Sequence, residues 1–239
     1  MDRTAIIVWA SSGIGAALAR DLAGAGYKLG IAARRLPQLE ALAAQLPTPA
    51  VVGRIDVSDV DGAMAGFNEL VEQLGGVELV VISAGTGHEN PDLRWEPERD
   101  TIAVNVAGFA AVATAAMAHF TARGGGHLVA ISSVAAVKGD GEAPAYGASK
   151  AFVSRYLQAL RHRAAKHKLG VYVTDVKAGF VDTAMAKGEG LFWVAPVGVA
   201  SAQIMAAIRR RRSNVYVTRR WGVVARLLAI MPEWLYNRL

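Results

Sequence analysis

The sequence predicts a doubly wound α/β fold, a parallel sheet of about seven strands with helices on both faces. Short apolar, β-branched runs alternate with longer stretches of helical period along the chain, which is the order of a βαβ array. The short runs are apolar at nearly every position, as strands need when both faces of their sheet are covered. A length of 239 residues, 53% of them hydrophobic, is enough for a large core in one domain over residues 1–239. No internal repeat, low-complexity tract or Pro- or Ser-rich linker divides the chain.

The first strand run, residues 5–9, enters Ala10-Ser11-Ser12-Gly13-Ile14-Gly15 and a helical pattern over 14–23. Glycines in such a turn let the backbone approach a pyrophosphate, and the helix start offers free N–H groups and partial positive charge. The second run, 29–33, ends at Ala33, where a carboxylate would accept the ribose hydroxyls of NAD, and Arg34 and Arg35 follow. Two guanidinium groups suit a 2′-phosphate, so NADP(H) is expected over NAD(H). Helical patterns over 36–45 and 60–74 flank the third run, 50–54, and the fourth run is 79–83. The pattern over 101–120 is apolar on nearly every side, which implies burial all round. Gly124-Gly125-Gly126 turns into the fifth run, 127–132. A helix over 146–166, a sixth run at 171–176, a helix over 197–211 and a seventh run at 215–217 complete the series.

Tyr146 and Lys150 head the 146–166 helix, one turn apart on one face. A free phenol has a pKa of about 10 and a nearby cation favours its ionised form, so the pair can give and take a proton near neutral pH. In open parallel sheets ligands lie beyond the carboxyl ends of the strands, near the switch in strand order. The motifs fall at those ends.

These residues resemble the short-chain dehydrogenase/reductase family, whose fold is a Rossmann-type sheet and whose members use NAD(P), over nearly the whole chain to about Tyr216. Ala10 to Gly15 look like the later part of its Thr-Gly-x-x-x-Gly-x-Gly loop, so that Ser11, Ser12, Gly13, Ile14 and Gly15 would hold the cofactor with Arg34 and Arg35. Asp56 and Val57 are similar to its adenine-contacting pair, and Ala84-Gly85 to the end of its Asn-Asn-Ala-Gly element. Gly179-Phe180-Val181-Asp182-Thr183 resembles its nicotinamide loop, with Gly179, Val181 and Thr183 toward the cofactor. Ser133 lies thirteen residues before Tyr146, the family's interval between serine and tyrosine, and Asn105 sits where the family keeps a helix asparagine whose main chain holds a relay water.

The resemblance implies an oxidoreductase that passes hydride between nicotinamide and a carbonyl or secondary alcohol. Ser133 would bond the substrate oxygen, Tyr146 would exchange its proton, Lys150 would lower the tyrosine pKa and hold the nicotinamide ribose, and Asn105 would link the lysine to bulk water. No metal ligand set is assigned. Three departures stand out. Trp9 replaces the loop's first glycine, so that Trp9 points away from the cofactor, or the loop is one residue shorter with Trp9 in the threonine's place, or binding is impaired. Ile82-Ser83 replaces two asparagines, and Ala178 replaces the proline before Gly179.

Met185, Leu191, Phe192 and Trp193 in the 184–195 segment suggest an apolar lid, hence a substrate with hydrophobic bulk; packing on the protein itself is the alternative. The 101–120 and 146–166 helices resemble the family's dimerising pair and imply a homodimer or homotetramer. Residues 218–239 form an extension whose apolar and aromatic groups are mixed with Arg219, Arg220, Arg226 and Arg238. It can cap the cleft, meet a subunit or lie in a membrane interface. The stretch 221–231 is interrupted by Arg226 and falls short of the roughly 20 residues that span a bilayer.

There is no cysteine, which excludes disulfides and thiolate chemistry, and no export signal is visible, so a cytoplasmic location is expected. The net charge of +6 gathers late, at Arg209 to Arg212, Arg219 and Arg220. A helix end explains the first four, and nucleic acid is not expected as a partner. One rival is a catalytically weakened nucleotide sensor or scaffold, motivated by Trp9. Another is a serine hydrolase, because Gly147-Ala148-Ser149-Lys150-Ala151 superficially resembles a nucleophile elbow; that motif needs a strand directly before the serine.

Overall fold

The computed structural model describes residues 3–185 and 192–238. Seven strands form one sheet: β1 (Thr4–Val8), β2 (Lys28–Ala33), β3 (Ala50–Arg54), β4 (Leu79–Ile82), β5 (Gly126–Ser133), β6 (Val171–Ala178) and β7 (Asn214–Val217). Their order is β3-β2-β1-β4-β5-β6-β7, every neighbour parallel. Parallel pairing requires a crossover between consecutive strands. The order reverses between β1 and β4, which opens a crevice at the carboxyl ends of those strands.

Alternation of side chains along each strand builds two cores. Ile6, Val8, Val80, Ile82 and Leu128 face α3 (Val60–Gln73), α5 (Phe109–Arg123) and α6 (Pro144–Lys166), meeting Phe67, Phe109, Phe120 and Leu157. Ala5, Ile7, Leu29, Ile31 and Val129 face α1 (Gly13–Gly24), α2 (Leu36–Ala43) and α7 (Val197–Arg209), meeting Leu18, Leu22, Leu39 and Ile204. Each fully buried Leu, Ile or Phe contributes about 1.5–3 kcal/mol of transfer free energy, so a sheet clothed on both faces is what these runs stabilise.

Two elements differ from the expected pattern. Residues 101–120 are not one α-helix: α4 (Trp95–Ile102) passes through a π-helical stretch, Ala103–Gly108, into α5. The whole run Trp95–Arg123 is long and apolar enough to cross a bilayer. Yet Phe109, Val112, Met117 and Phe120 are buried in the core of this chain, and a core helix passes the same test of length and apolarity. The C-terminal residues form α8 (Trp221–Ile230), which packs against β7 and Gly179 beyond β6, and α9 (Glu233–Tyr236). Arg209 closes the last turn of α7, where a cation suits the helix dipole.

Candidate active site

The turn after β1 is shaped by close approach. Gly13 has φ +57°, and a Cβ on Gly15 would overlap the carbonyl oxygen of Trp9; only glycine permits this packing of α1 on β1. Ser12 precedes α1 in an extended conformation and its side chain caps no backbone N–H, leaving the first-turn donors for an anion. Trp9 has φ +74°, a left-handed conformation that costs an L-residue roughly 1–2 kcal/mol. This is a backbone conformation that glycine adopts without cost. Its ring packs against the core on the α3, α5 and α6 face, with the Arg34 guanidinium 5.2 Å from its centroid.

Arg35 turns the other way, donating to the Ser11 and Ser12 hydroxyls at 3.0 and 3.1 Å. The two arginines that the sequence assigns to the 2′-phosphate thus flank the turn that it assigns to the pyrophosphate. Asp56 accepts from the Ser58 amide at 3.0 Å and its hydroxyl at 2.7 Å. Burial raises the Asp56 pKa, but these bonds with Arg34 and Arg54 outweigh it and hold the carboxyl below its usual value. Val57 and Ala84 are buried in the same core. A glycine turn, uncapped helix donors, Arg35 and two serine hydroxyls fit a dinucleotide phosphate in charge and shape.

At the carboxyl end of β5, neighbouring serines face opposite sides, as strand alternation requires. Ser132 bonds Asp175 on β6, whereas the Ser133 hydroxyl accepts from the Ala135 amide at 3.1 Å and lies on the side of the Tyr146 phenol. Pro144 opens α6, which suits its fixed φ and missing N–H and sets Tyr146 in the first turn. Lys150, one turn on, is 4% exposed. Its ammonium donates to the Ile131 carbonyl at 3.1 Å and stands 5.8 Å from the centroid of the Tyr146 ring. Burial pulls the Lys150 pKa down to about 8, against the opposing pull of Asp175.

Burial pushes the Tyr146 pKa up, opposed only by the Ser133 bond. The resemblance implies a shift in the other direction; in this structure the Lys150 ammonium is held by the Ile131 carbonyl.

Asn105 lies in the π-helical stretch, a local unwinding often found at functional sites. Its side chain accepts from the Thr86 amide at 2.8 Å and donates to the Thr86 carbonyl at 2.7 Å and the Ser149 hydroxyl at 2.9 Å. Ser149 in turn donates to the Tyr146 carbonyl at 2.8 Å. Asn105 so ties the loop after β4 to the first turn of α6, and Gly85 in that loop lies against the Lys150 ammonium. Ser149 is 2% exposed inside α6 with no strand before it, which removes the hydrolase reading.

Thr183 reaches back across the crevice, its methyl 3.2 Å from where a Gly13 side chain would begin, and joins the loop after β6 to the glycine turn. Val181 bridges to Ala195, and the Asp182 amide donates to the Ala195 carbonyl at 2.9 Å. Ala178 remains within β6, paired with Ser133 and Val217.

Sequence reasoning missed Trp221. This buried indole lies directly against Gly179, whose Cβ would overlap it, and meets Phe180, Phe192 and Trp193 at centroid distances of 5.4, 5.1 and 5.9 Å. Phe192 is 51% and Trp193 45% exposed, and so is Met185 at 49%; Leu191 lies outside the described residues. No periodicity could have tied Trp221 to a loop forty residues away. From α9, the Tyr236 hydroxyl donates to the Gly139 carbonyl at 2.7 Å, so the tail also meets the stretch between Ser133 and Tyr146.

The short chain dehydrogenase family model matches residues 3–191. An uncharacterized oxidoreductase of Myxococcus xanthus is 39% identical over 184 residues, 75% of this chain and 72% of that protein. One of Mycobacterium tuberculosis is 32% identical over 244 residues, 98% of this chain and 95% of its own. Among solved structures, a short-chain dehydrogenase/reductase from Burkholderia phymatum in complex with NAD superposes with a TM-score of 0.85 at 21% identity, covering 95% of this chain and 92% of that one. The chain belongs to the short-chain dehydrogenase/reductase family. It is an oxidoreductase of carbonyl and alcohol groups with a nicotinamide dinucleotide-binding fold.

Proposed function

We propose that the protein is an NADP-preferring reductase or dehydrogenase of an apolar ketone or secondary alcohol, with Ser133, Tyr146, Lys150 and Asn105 as its working groups. The observation that carries the reading is the convergence of Ser133 at the carboxyl end of β5, Tyr146 in the first turn of α6 and the buried Lys150, whose ammonium stands 5.8 Å from the Tyr146 ring centroid. A bound nicotinamide would supply or accept the hydride. Ser133 orients the substrate oxygen, and the neutral phenol of Tyr146 gives it a proton in the reductive direction. Lys150, held by the Ile131 carbonyl, supplies positive charge beside the phenol and a donor for the nicotinamide ribose. Asn105 fixes the first turn of α6 through Ser149 and so sets where the phenol points.

For the nucleotide, Ser11 to Gly15 with the α1 amides would hold the pyrophosphate, Thr183, Val181 and Gly179 the nicotinamide end, and Asp56, Val57, Ala84 and Gly85 the adenosine side. Arg34 and Arg35 support the 2′-phosphate, because no carboxylate ends β2 and Arg35 already leans on two hydroxyls. The exposed Met185, Phe192 and Trp193 support a substrate with hydrophobic bulk. A single domain, a homodimer or homotetramer and a cytoplasmic location, where the reduced nucleotide is kept in supply, belong to the same reading.

Titration calorimetry with NADPH and NADH, followed by a panel of aryl and alkyl ketones, tests it. Tighter binding of NADPH and oxidation of NADPH by at least one bulky ketone are expected. Binding of neither nucleotide would overturn the reading in favour of a degenerate scaffold.

A further inference from the structure

The helix that covers the nicotinamide loop is apolar on its outer side as well. Trp221, Gly222 and Ala225 of α8 are buried toward β7 and Gly179. Val223, Leu227 and Ile230 follow at spacings of four and three, which puts them on one stripe, and they are 58%, 56% and 79% exposed. Trp234 and Leu235 of α9 extend this surface. A soluble helix normally leaves its second face to polar groups, and the polar groups here are almost all of one sign. Arg219, Arg220, Arg226 and Arg238 stand against Glu233 alone in residues 218–238. Arg226 borders the same shallow depression as Val223, Leu227, Ala229 and Ile230, and the Arg238 guanidinium stacks 5.6 Å from the Trp234 ring centroid.

We infer that this face docks on an anionic lipid bilayer, with Val223, Leu227, Ile230 and Trp234 in the acyl boundary and the arginines among phosphate headgroups. Apolar residues edged by guanidinium groups, with an interfacial tryptophan, are what such a surface holds. Charge decides against a second copy of the chain: a two-fold contact through this face would set the four arginines against themselves. The docked element is also the one that closes the site. Trp221 lies on the Gly179 loop and Tyr236 on Gly139, so a carbonyl substrate dissolved in the membrane would enter beside the cofactor without crossing water. That last step rests on the oxidoreductase reading above, whereas the docking does not.

Sedimentation of the full chain with vesicles of phosphatidylglycerol and phosphatidylcholine in equal parts, against phosphatidylcholine alone, tests the docking with no nucleotide or ketone present. Partition onto the anionic vesicles, weakened by salt, is expected. The Leu227→Ser/Ile230→Ser variant should lower it roughly tenfold or more, with near-UV circular dichroism and solution mass unchanged, and Arg226→Glu should weaken it in the same direction. Failure of the wild-type chain to sediment with anionic vesicles would overturn the inference, as would undiminished binding by the double variant. A solution mass that halves on the double substitution would show a contact between copies instead and would equally overturn it. Since the vesicles report no turnover, failure here leaves the activity tests of the site untouched.

Discussion

Arg35 is the side chain on which nucleotide choice turns. It bonds two serine hydroxyls that a phosphate oxygen could replace, and hydrogen bonds to charged groups contribute about 1.5–3 kcal/mol each. Arg35→Ala is therefore expected to weaken NADPH binding roughly 10- to 100-fold while NADH binding holds; calorimetry showing equal losses for both would contradict the assignment. The placements that rest on local spacing were legible in the sequence: Tyr146 and Lys150 lie one helical turn apart at the head of α6, and Ser133, just past the expected 127–132 run, ends β5. What Asn105 does was not legible, since its partner Ser149 is 44 residues away and the pairing exists only after α6 docks. Trp9 shows the same limit in another form. Its left-handed backbone follows from how tightly α1 packs on β1, and no propensity of tryptophan foretells it.

At the scale of elements, the strands were legible to within one or two residues because burial on both faces writes continuous apolar runs. The helix expected over 101–120 was not, for an apolar pattern of that kind is compatible with either α or π winding, and the change at Ala103–Gly108 follows from what Asn105 must reach. The C-terminal segment was legible as apolar and basic, with a cap on the cleft among its readings, but the residue that makes the contact was not, because the contact of Trp221 with Gly179 is purely tertiary. Removing a buried tryptophan costs about 3–5 kcal/mol, and here the loss would fall on α8 and the loop after β6. Trp221→Ala should thus speed hydrogen exchange in residues 179–185 and 221–230 well before the central strands. Unchanged protection there would show that α8 does not brace the loop.

For the whole molecule, His127 gives a handle on acid stability. It is buried against Thr174, at 2.8 Å, and burial together with the Arg211 charge lowers its pKa to about 4. Above pH about 6.5 the imidazole is neutral whether the chain is folded or not. As pH falls from there toward 4 the unfolded chain takes up a proton that the folded one refuses, so stability is lost across that window, by about 3 kcal/mol at most. Urea titrations at pH 7 and pH 4.5 should show this loss in the wild type and a smaller one in His127→Gln; identical losses would remove His127 from the account. Assembly is tested by light scattering at micromolar concentration, where a dimer or tetramer mass is expected and a monomer mass would count against it. The central claim is that this fold moves hydride with Tyr146 handling the proton, and one comparison meets it most directly: steady-state NADPH oxidation by the wild type and Tyr146→Phe with the same bulky ketone, with nucleotide affinity measured alongside. The account predicts that the variant binds NADPH as the wild type does and turns over roughly a hundred- to ten-thousandfold more slowly. A variant that kept the wild-type rate would contradict it.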